Sequence, residues 1–226
     1  MIIKFKEWVK KSDVFMRIFY VVRFFAYGNR KKINGRGNKI LYKNALLKDI
    51  RIKIIGNDNM IVFGDSASVK QCNIQIIGNN HTLELGKNTV FVQTNFAFED
   101  HHNLIQVGER SRILHHGLIS AVEPYSKIEI GNDCMFSTHV DVRNTDSHSI
   151  IDLQTGARIN KGSNVKIGNK VWLGAHVQVL KGVAIGNNSV VGIRSLVTKD
   201  IPANCIAAGV PAKVIRTNVD WTEERL

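Results

Sequence analysis

The sequence predicts an all-β chain whose short strands stack as a parallel, flat-faced solenoid, preceded by an α-helical segment and interrupted by one protruding loop. Three observations predict it. Residues Ile50 to Gln71 and Cys72 to Gln93 are two gapless 22-residue copies of one unit. Further along, apolar residues recur every six positions from Ile167 to Val197. Between these stretches the register breaks once, over a polar, turn-rich segment.

The first element is helical. Phe5, Trp8, Val9, Phe15, Ile18, Phe19, Val22 and Phe25 fall near helical spacing, and Gly28-Asn29 supplies the stop. This stretch also explains the charge. The 226 residues carry 31 Lys+Arg against 19 Asp+Glu, a net +12, and Met1 to Lys53 alone hold 15 of the basic residues against three acidic ones. The excess is therefore local. It does not make the whole chain basic, and no nucleic-acid motif accompanies it. Two readings stay open for residues 1–53: a cap over the end of the following domain, or a basic amphipathic surface lying on an anionic membrane. Arg17 and Arg23 interrupt the apolar stretch and no small-residue cleavage site follows, so a signal peptide is not expected. No apolar run reaches membrane-spanning length. Three cysteines without metal-ligand spacing suit a reduced, cytoplasmic setting, at the inner face of the membrane on the second reading.

The solenoid follows. In the two 22-residue copies Ile52/Ile74, Ile54/Ile76, Gly56/Gly78 and Gly64/Gly86 correspond; Ile105, Val107 and Gly108 continue the step, and Ile128, Ile130 and Gly131 follow 23 residues later. Toward the C-terminus Ile167, Leu173, Val179, Ile185, Val191 and Val197 stand six apart, each preceded at two residues by Val165, Val171, Val177, Val183, Ser189 or Ser195. Two inward side chains separated by one outward residue make a very short strand. Gly or Gly-Asn after each is expected to turn a corner with positive φ. Three such hexads close a coil, and the 22-residue steps read as such a coil with a small bulge. Roughly seven coils at about 4.8 Å each give a prism on the order of 30 to 35 Å long. The expected division is a basic helix and lead-in over 1–49, the coils over 50–212 and a tail over 213–226.

The break lies between Val142 and Ile167, whose separation is not a multiple of six. A loop of about 144–164 leaves the prism there, and loops on rigid scaffolds are where chemistry concentrates.

The segment Ile167 to Arg216, IGNKVWLGAHVQVLKGVAIGNNSVVGIRSLVTKDIPANCIAAGVPAKVIR, resembles the hexapeptide-repeat acyltransferases. Cys134 to Ile150, CMFSTHVDVRNTDSHSI, is similar to the branch that O-acetylates capsule and other bacterial surface polysaccharides, polysialic acid included. The resemblance implies a left-handed parallel β-helix, a homotrimer with its active site between subunits, acetyl-coenzyme A as donor and a carbohydrate acceptor. Handedness rests on the resemblance alone, since ordinary parallel crossovers are right-handed.

Moving an acetyl group to a sugar hydroxyl needs a base for the hydroxyl proton and a donor for the oxyanion. His148 opens the loop and aligns with the family's catalytic histidine, which makes it the expected base. Asp146 is the candidate to orient it, and a solvated carboxylate is the alternative. Trp172, 24 residues on, matches an active-site tryptophan of the polysaccharide branch and would pack on His148 or on the thioester end of coenzyme A. The backbone N–H of Gly174 or Ala175 is the expected oxyanion donor. The family's coenzyme A positions carry over to Ala175, Ile193, Thr198, Lys199 and Arg216, with Lys213 as a further basic residue. Two departures stand out: Ile193-Arg194 replaces a small pair and crowds the pantetheine path, and Ala175 lacks the polar side chain of many relatives. Arg143, Tyr125 and His139 are candidates for the acceptor, as is Glu123. His116 and His139 stand one coil step apart, but neither has a second histidine five residues away, so no metal is expected. Alternatives to O-acetylation are N-acetylation of an amino sugar or sugar nucleotide, and a non-catalytic β-helical scaffold docking on a membrane through its basic helix.

Overall fold

The computed structural model describes residues 24, 26–42 and 44–226. The helix expected over Phe5–Tyr27 lies outside them except at its end, where Phe24 and Ala26 are helical. From Arg30 onward the chain winds through three parallel sheets, one per face of a prism. The first face takes strands Arg30–Asn34, Arg51–Ile55, Asn73–Ile77, Asn95–Phe98, Leu118–Ala121, Asp141–Arg143, Gln178–Val179 and Leu196–Val197. The second runs from Lys39–Tyr42 through Lys127–Ile130 and Val165–Ile167 to Ala184–Ile185. The third runs from Leu46–Lys48 through Met135–Phe136, Trp172–Leu173 and Val190–Val191 to Cys205–Gly209, on which Ala212–Thr217 folds back antiparallel.

Coils therefore begin at Arg30, not at Ile50. The first coil escapes the sequence pattern because Lys31 occupies the inward register position that Ile52 and Ile74 fill above it. Phe24 compensates: it is buried, its ring lies 5.8 Å from that of Tyr42, and the Lys31 ammonium sits 5.7 Å from its centroid. Asn29 holds this end in place, its amide donating to the carbonyls of Phe24 and Leu47 at 2.8 Å each.

The 22-residue coils are not 18-residue coils with a bulge. Their extra residues lengthen the strands, to five in Arg51–Ile55 and four in Met60–Phe63, against two in Gln178–Val179 and Ala184–Ile185. The prism narrows accordingly, and the core follows. Phe63, Phe91, Phe96, Phe98 and Phe136 fill the wide coils, while Val177, Val179, Val183, Val191 and Val197 suffice in the narrow ones.

Gly56 and Gly78 take positive φ as expected, at 136° and 129°, but Gly64 and Gly86 and the glycines directly following the six-residue series do not. Positive φ falls two residues after Gly64 and Gly86, at Ser66 and Asn88. Gly64 is instead required by contact between coils, since a Cβ there would stand 2.4 Å from the Gly86 carbonyl carbon. Inside the first–second edge a polar column satisfies the corner backbones: His81 N–H donates to Asn59 Oδ1 at 2.9 Å and Asn103 N–H to His81 Nδ1 at 3.3 Å. Cys72, Cys134 and Cys205 are buried and unpaired, and burial pushes the Cys72 and Cys134 thiols up to about 11, which removes them as nucleophiles. Among the described residues no helix is long and apolar enough to cross a membrane.

Candidate active site

The loop leaves the first–second edge at Asn144, whose buried amide closes a reciprocal pair with the backbone of Val122: Val122 N–H donates to Oδ1 and Nδ2 donates to Val122 O, both at 2.9 Å. One coil below, Glu123 gathers the rest of the loop base. Its carboxylate accepts from Thr145 Oγ1 at 2.6 Å, from both terminal nitrogens of Arg158 at 2.6 and 3.1 Å, and from Gly162 N–H at 2.9 Å. Burial alone would raise the Glu123 carboxyl, but these donors outweigh it and bring the group down to about 2.

The two arms of the loop are held from the coil above. Lys181 pairs with Asp146 and donates to Asn160 O at 2.9 Å. Asn160 in turn donates to Asp146 Oδ2 at 2.9 Å and to His148 O at 2.8 Å, while its Oδ1 accepts from Ile150 N–H at 2.7 Å. His148 N–H donates to Asp146 O at 2.8 Å. The backbone of His148 is thus fixed, and its imidazole is exposed with no hydrogen-bond partner among the described residues. The carboxylate of Asp146 does not reach that ring. Lys181 first, then Asn160, hold it ionised below the usual carboxylate range, so it shapes the loop that presents the histidine.

Most of the residues expected to meet the donor lie elsewhere on the prism. Trp172 is on the third face between Met135 and Val190, 36% exposed. Gly174, Ala175 and Ile193 follow on the third–first edge. Gly174 is not a free donor, because its N–H is taken by Val191 O at 2.8 Å. Ala175 N–H donates to no group among the described residues, which leaves it the unpaired N–H of the two. Ile193 is 66% exposed at the corner. Thr198 and Lys199 return to the first–second edge above Lys181, and Lys213 and Arg216 are exposed on the terminal hairpin.

Of the acceptor candidates, Tyr125 and Arg143 lie beside the His148 loop, and the guanidinium of Arg143 is occupied by Asp141 at 2.8 Å. His139 lies on the other edge. It lies between His116, whose ring is tilted by 33° at 4.8 Å, and His176, stacked on it at 4.7 Å and 9°. Among the described residues no three His, Cys, Asp or Glu side chains group as a metal site would require.

One chain therefore does not bring His148 and Trp172 together: the loop leaves the first–second edge, and Trp172 lies on the third face. Residues the sequence pattern did not single out include Arg158, Asn160 and Lys181 around the loop, and Trp221 in the tail. The Trp221 ring lies 5.8 Å from that of Trp172 and its indole donates to Lys170 O at 2.7 Å.

The family model described as bacterial transferase hexapeptide (six repeats) matches residues 164–199. The polysialic acid O-acetyltransferase of Escherichia coli O1:K1 / APEC is 38% identical over 94 residues, 42% of this chain and 31% of that protein. The sequence match thus spans about a third of that curated relative. Two solved structures match far more. The polySia-specific acetyltransferase NeuO is 30% identical with a TM-score of 0.80, over 87% of this chain and 90% of that one. The polysialic acid O-acetyltransferase OatWY is 32% identical with a TM-score of 0.80, over 87% and 93% respectively. Those neighbours are left-handed β-helices, which fixes the sense of the coiling. By likeness over nearly its whole length, the chain belongs to the hexapeptide-repeat acyltransferases.

Proposed function

We propose that the protein is an acetyl-coenzyme A-dependent O-acetyltransferase that modifies a hydroxyl of a bacterial surface polysaccharide or its precursor. The observation that carries this reading is His148, its backbone pinned by Asn160 and Asp146 and its ring left free, in a chain whose fold matches two polysialic acid O-acetyltransferases. The neutral imidazole accepts the proton of the acceptor hydroxyl as its oxygen attacks the thioester carbonyl carbon. The carbonyl oxygen becomes an oxyanion, for which Ala175 N–H is the free backbone donor. Collapse breaks the carbon–sulfur bond, and the imidazolium returns its proton to the leaving thiolate.

These groups meet when the first–second edge of one subunit faces the third–first edge of another. The separation of His148 from Ala175 and Trp172 within one chain supports a site shared between subunits, and a homotrimer supplies three such clefts. Lys199, Lys213 and Arg216 suit the phosphates of the donor, while the exposed Ile193 narrows the path of its pantetheine arm. The basic segment 1–53 would hold the enzyme at the cytoplasmic face of an anionic membrane.

The full chain, acetyl-coenzyme A, a thiol reagent and sialic acid or galactoside oligosaccharides form the test. Thiol release that depends on acceptor, and that disappears in His148→Ala, is expected; full turnover in that variant would overturn the assignment of the base. Release of the product's acetyl group by mild base distinguishes the ester from an amide.

A further inference from the structure

The first–second edge carries one column of corner residues in the left-handed conformation, in order Gly37, Asp58, Asn80, His102 and Tyr125, with φ from 56° to 69°. Glycine, aspartate, asparagine and histidine are the residues enriched in this conformation, and the first four members obey that rule. Tyr125 does not. His102 and Tyr125 are aromatic, and they occupy the two coils that lead directly to the His148 loop.

The conformation itself is general to the corners, since Gln71, Gln93, Arg110, Lys170 and Arg194 also take it, but burial does not account for the tyrosine at this one. Tyr125 is 67% exposed, so burial repays little of its backbone strain. Its ring instead joins a small aromatic surface, stacked on His102 at 4.8 Å and 18° and met edge-on by His101 at 5.3 Å and 87°. The backbone is pinned beneath it: His102 N–H donates to Asn79 O at 3.0 Å and Tyr125 N–H to His101 O at 3.1 Å. Asp100 lies at the rim, accepting from Glu123 N–H at 3.1 Å. A rigid aromatic face with a polar rim suits a pyranose ring, which offers C–H groups on its face and hydroxyls around its edge.

We propose that His101, His102 and Tyr125 form a platform for a sugar of the acceptor chain next to the one being acetylated, so that the acceptor extends along this edge toward the N-terminal coils. Successive coils are about 4.8 Å apart. A ring stacked on Tyr125 is therefore displaced from the reacting sugar at the loop, and the platform selects oligomers and polymers over a single sugar or a sugar nucleotide. This rests on the reading of the protein as a saccharide O-acetyltransferase and adds the length of its acceptor.

The test measures binding without chemistry, on the full chain carrying His148→Ala, by calorimetry with sialic acid and with galactose as single sugars and as six-residue oligomers. Affinity is expected to rise with length, and Tyr125→Asn to abolish about tenfold of that gain. Asparagine is the residue the column uses at position 80, so this variant keeps the corner, and its melting temperature should equal or exceed that of the parent. Tyr125→Phe should retain the gain. A length preference unchanged in Tyr125→Asn overturns the platform alone; absence of binding to every saccharide overturns the acceptor reading and the platform with it.

Discussion

Replacing Glu123 with glutamine should release the loop that carries His148 while leaving the prism folded. Holding this carboxyl at about 2 instead of 4.5 corresponds to about 3 kcal/mol in favour of the ionised, paired state. Because its folded value lies below its unfolded one, that stabilisation is fully present above about 4.5 and is lost as the pH falls toward 2; at pH 3 more than half of it is gone. Glutamine keeps the shape but removes the charge, and leaves Arg158 partly buried without its counter-ion. The segment between Arg143 and Val165 is an excursion from the coils, so it can open without breaking the ladders on either side. Hydrogen exchange at neutral pH should therefore quicken on the order of a hundredfold at the amides of Ile150 and Gly162, with Val142 and Ile167 unchanged. Wild type should move the same way between pH 7 and pH 3, after correction for intrinsic exchange. Unchanged protection of Gly162 in Glu123→Gln would refute the assignment of this carboxylate as the loop's anchor.

Three further outcomes follow from packing and charge. Phe96 is fully buried in a wide coil with its ring 5.4 Å from Phe91, so Phe96→Ala should cost about 3–5 kcal/mol and lower the melting temperature by roughly 10 °C; a fall of under 3 °C would mean that the core collapses onto the cavity. Trp221→Ala should shift Trp172 emission to the red and make the chain beyond Asn218 susceptible to protease, since the indole and the Lys170–Asp220 pair tie the tail to the third face. Lys181→Met should raise the Asp146 carboxyl back toward its ordinary range in an NMR titration, and an unmoved Asp146 would show that Asn160 alone sets it.

The parts legible in the sequence are those that repeat. Coils from Ile50 onward follow from isoleucines and valines at fixed steps, and the His148 loop from the single place where the steps fail. The first coil was hidden because Lys31 breaks the apolar pattern while keeping the backbone register, and Phe24, which meets its ammonium, packs from outside the repeat. Corner glycines were visible, but the reason for those like Gly64 was not: coil-to-coil contact depends on the neighbouring coil and not on the local turn. The loop's internal chemistry was illegible for the same reason. Glu123 meets Arg158 at a separation of 35 residues and Gly162 at 39, and Asp146 meets Lys181 across the coil above, none of which follows a period. Asp146 beside His148 in sequence suggested a carboxylate–imidazole pair, and the lysine stacked above it took the carboxylate instead.

Knowing where the coils begin also redistributes the charge. Residues 1–23 carry six Lys+Arg against Glu7 and Asp13, whereas residues 24–53 carry nine against Asp49 alone, so two-thirds of the excess belongs to the first two coils and their lead-in. Arg30, Lys32, Arg51 and Lys53 are exposed there on the outer side of the first face. Residues 1–23 and the basic end of the prism are thus distinct sources of one net charge. Phe24 belongs to the second, because its ring is already committed to covering the first coil and is not available to a bilayer. Whatever residues 1–23 contact, removing them would leave most of the basic surface in place, so anion binding that survives their loss would belong to the coils.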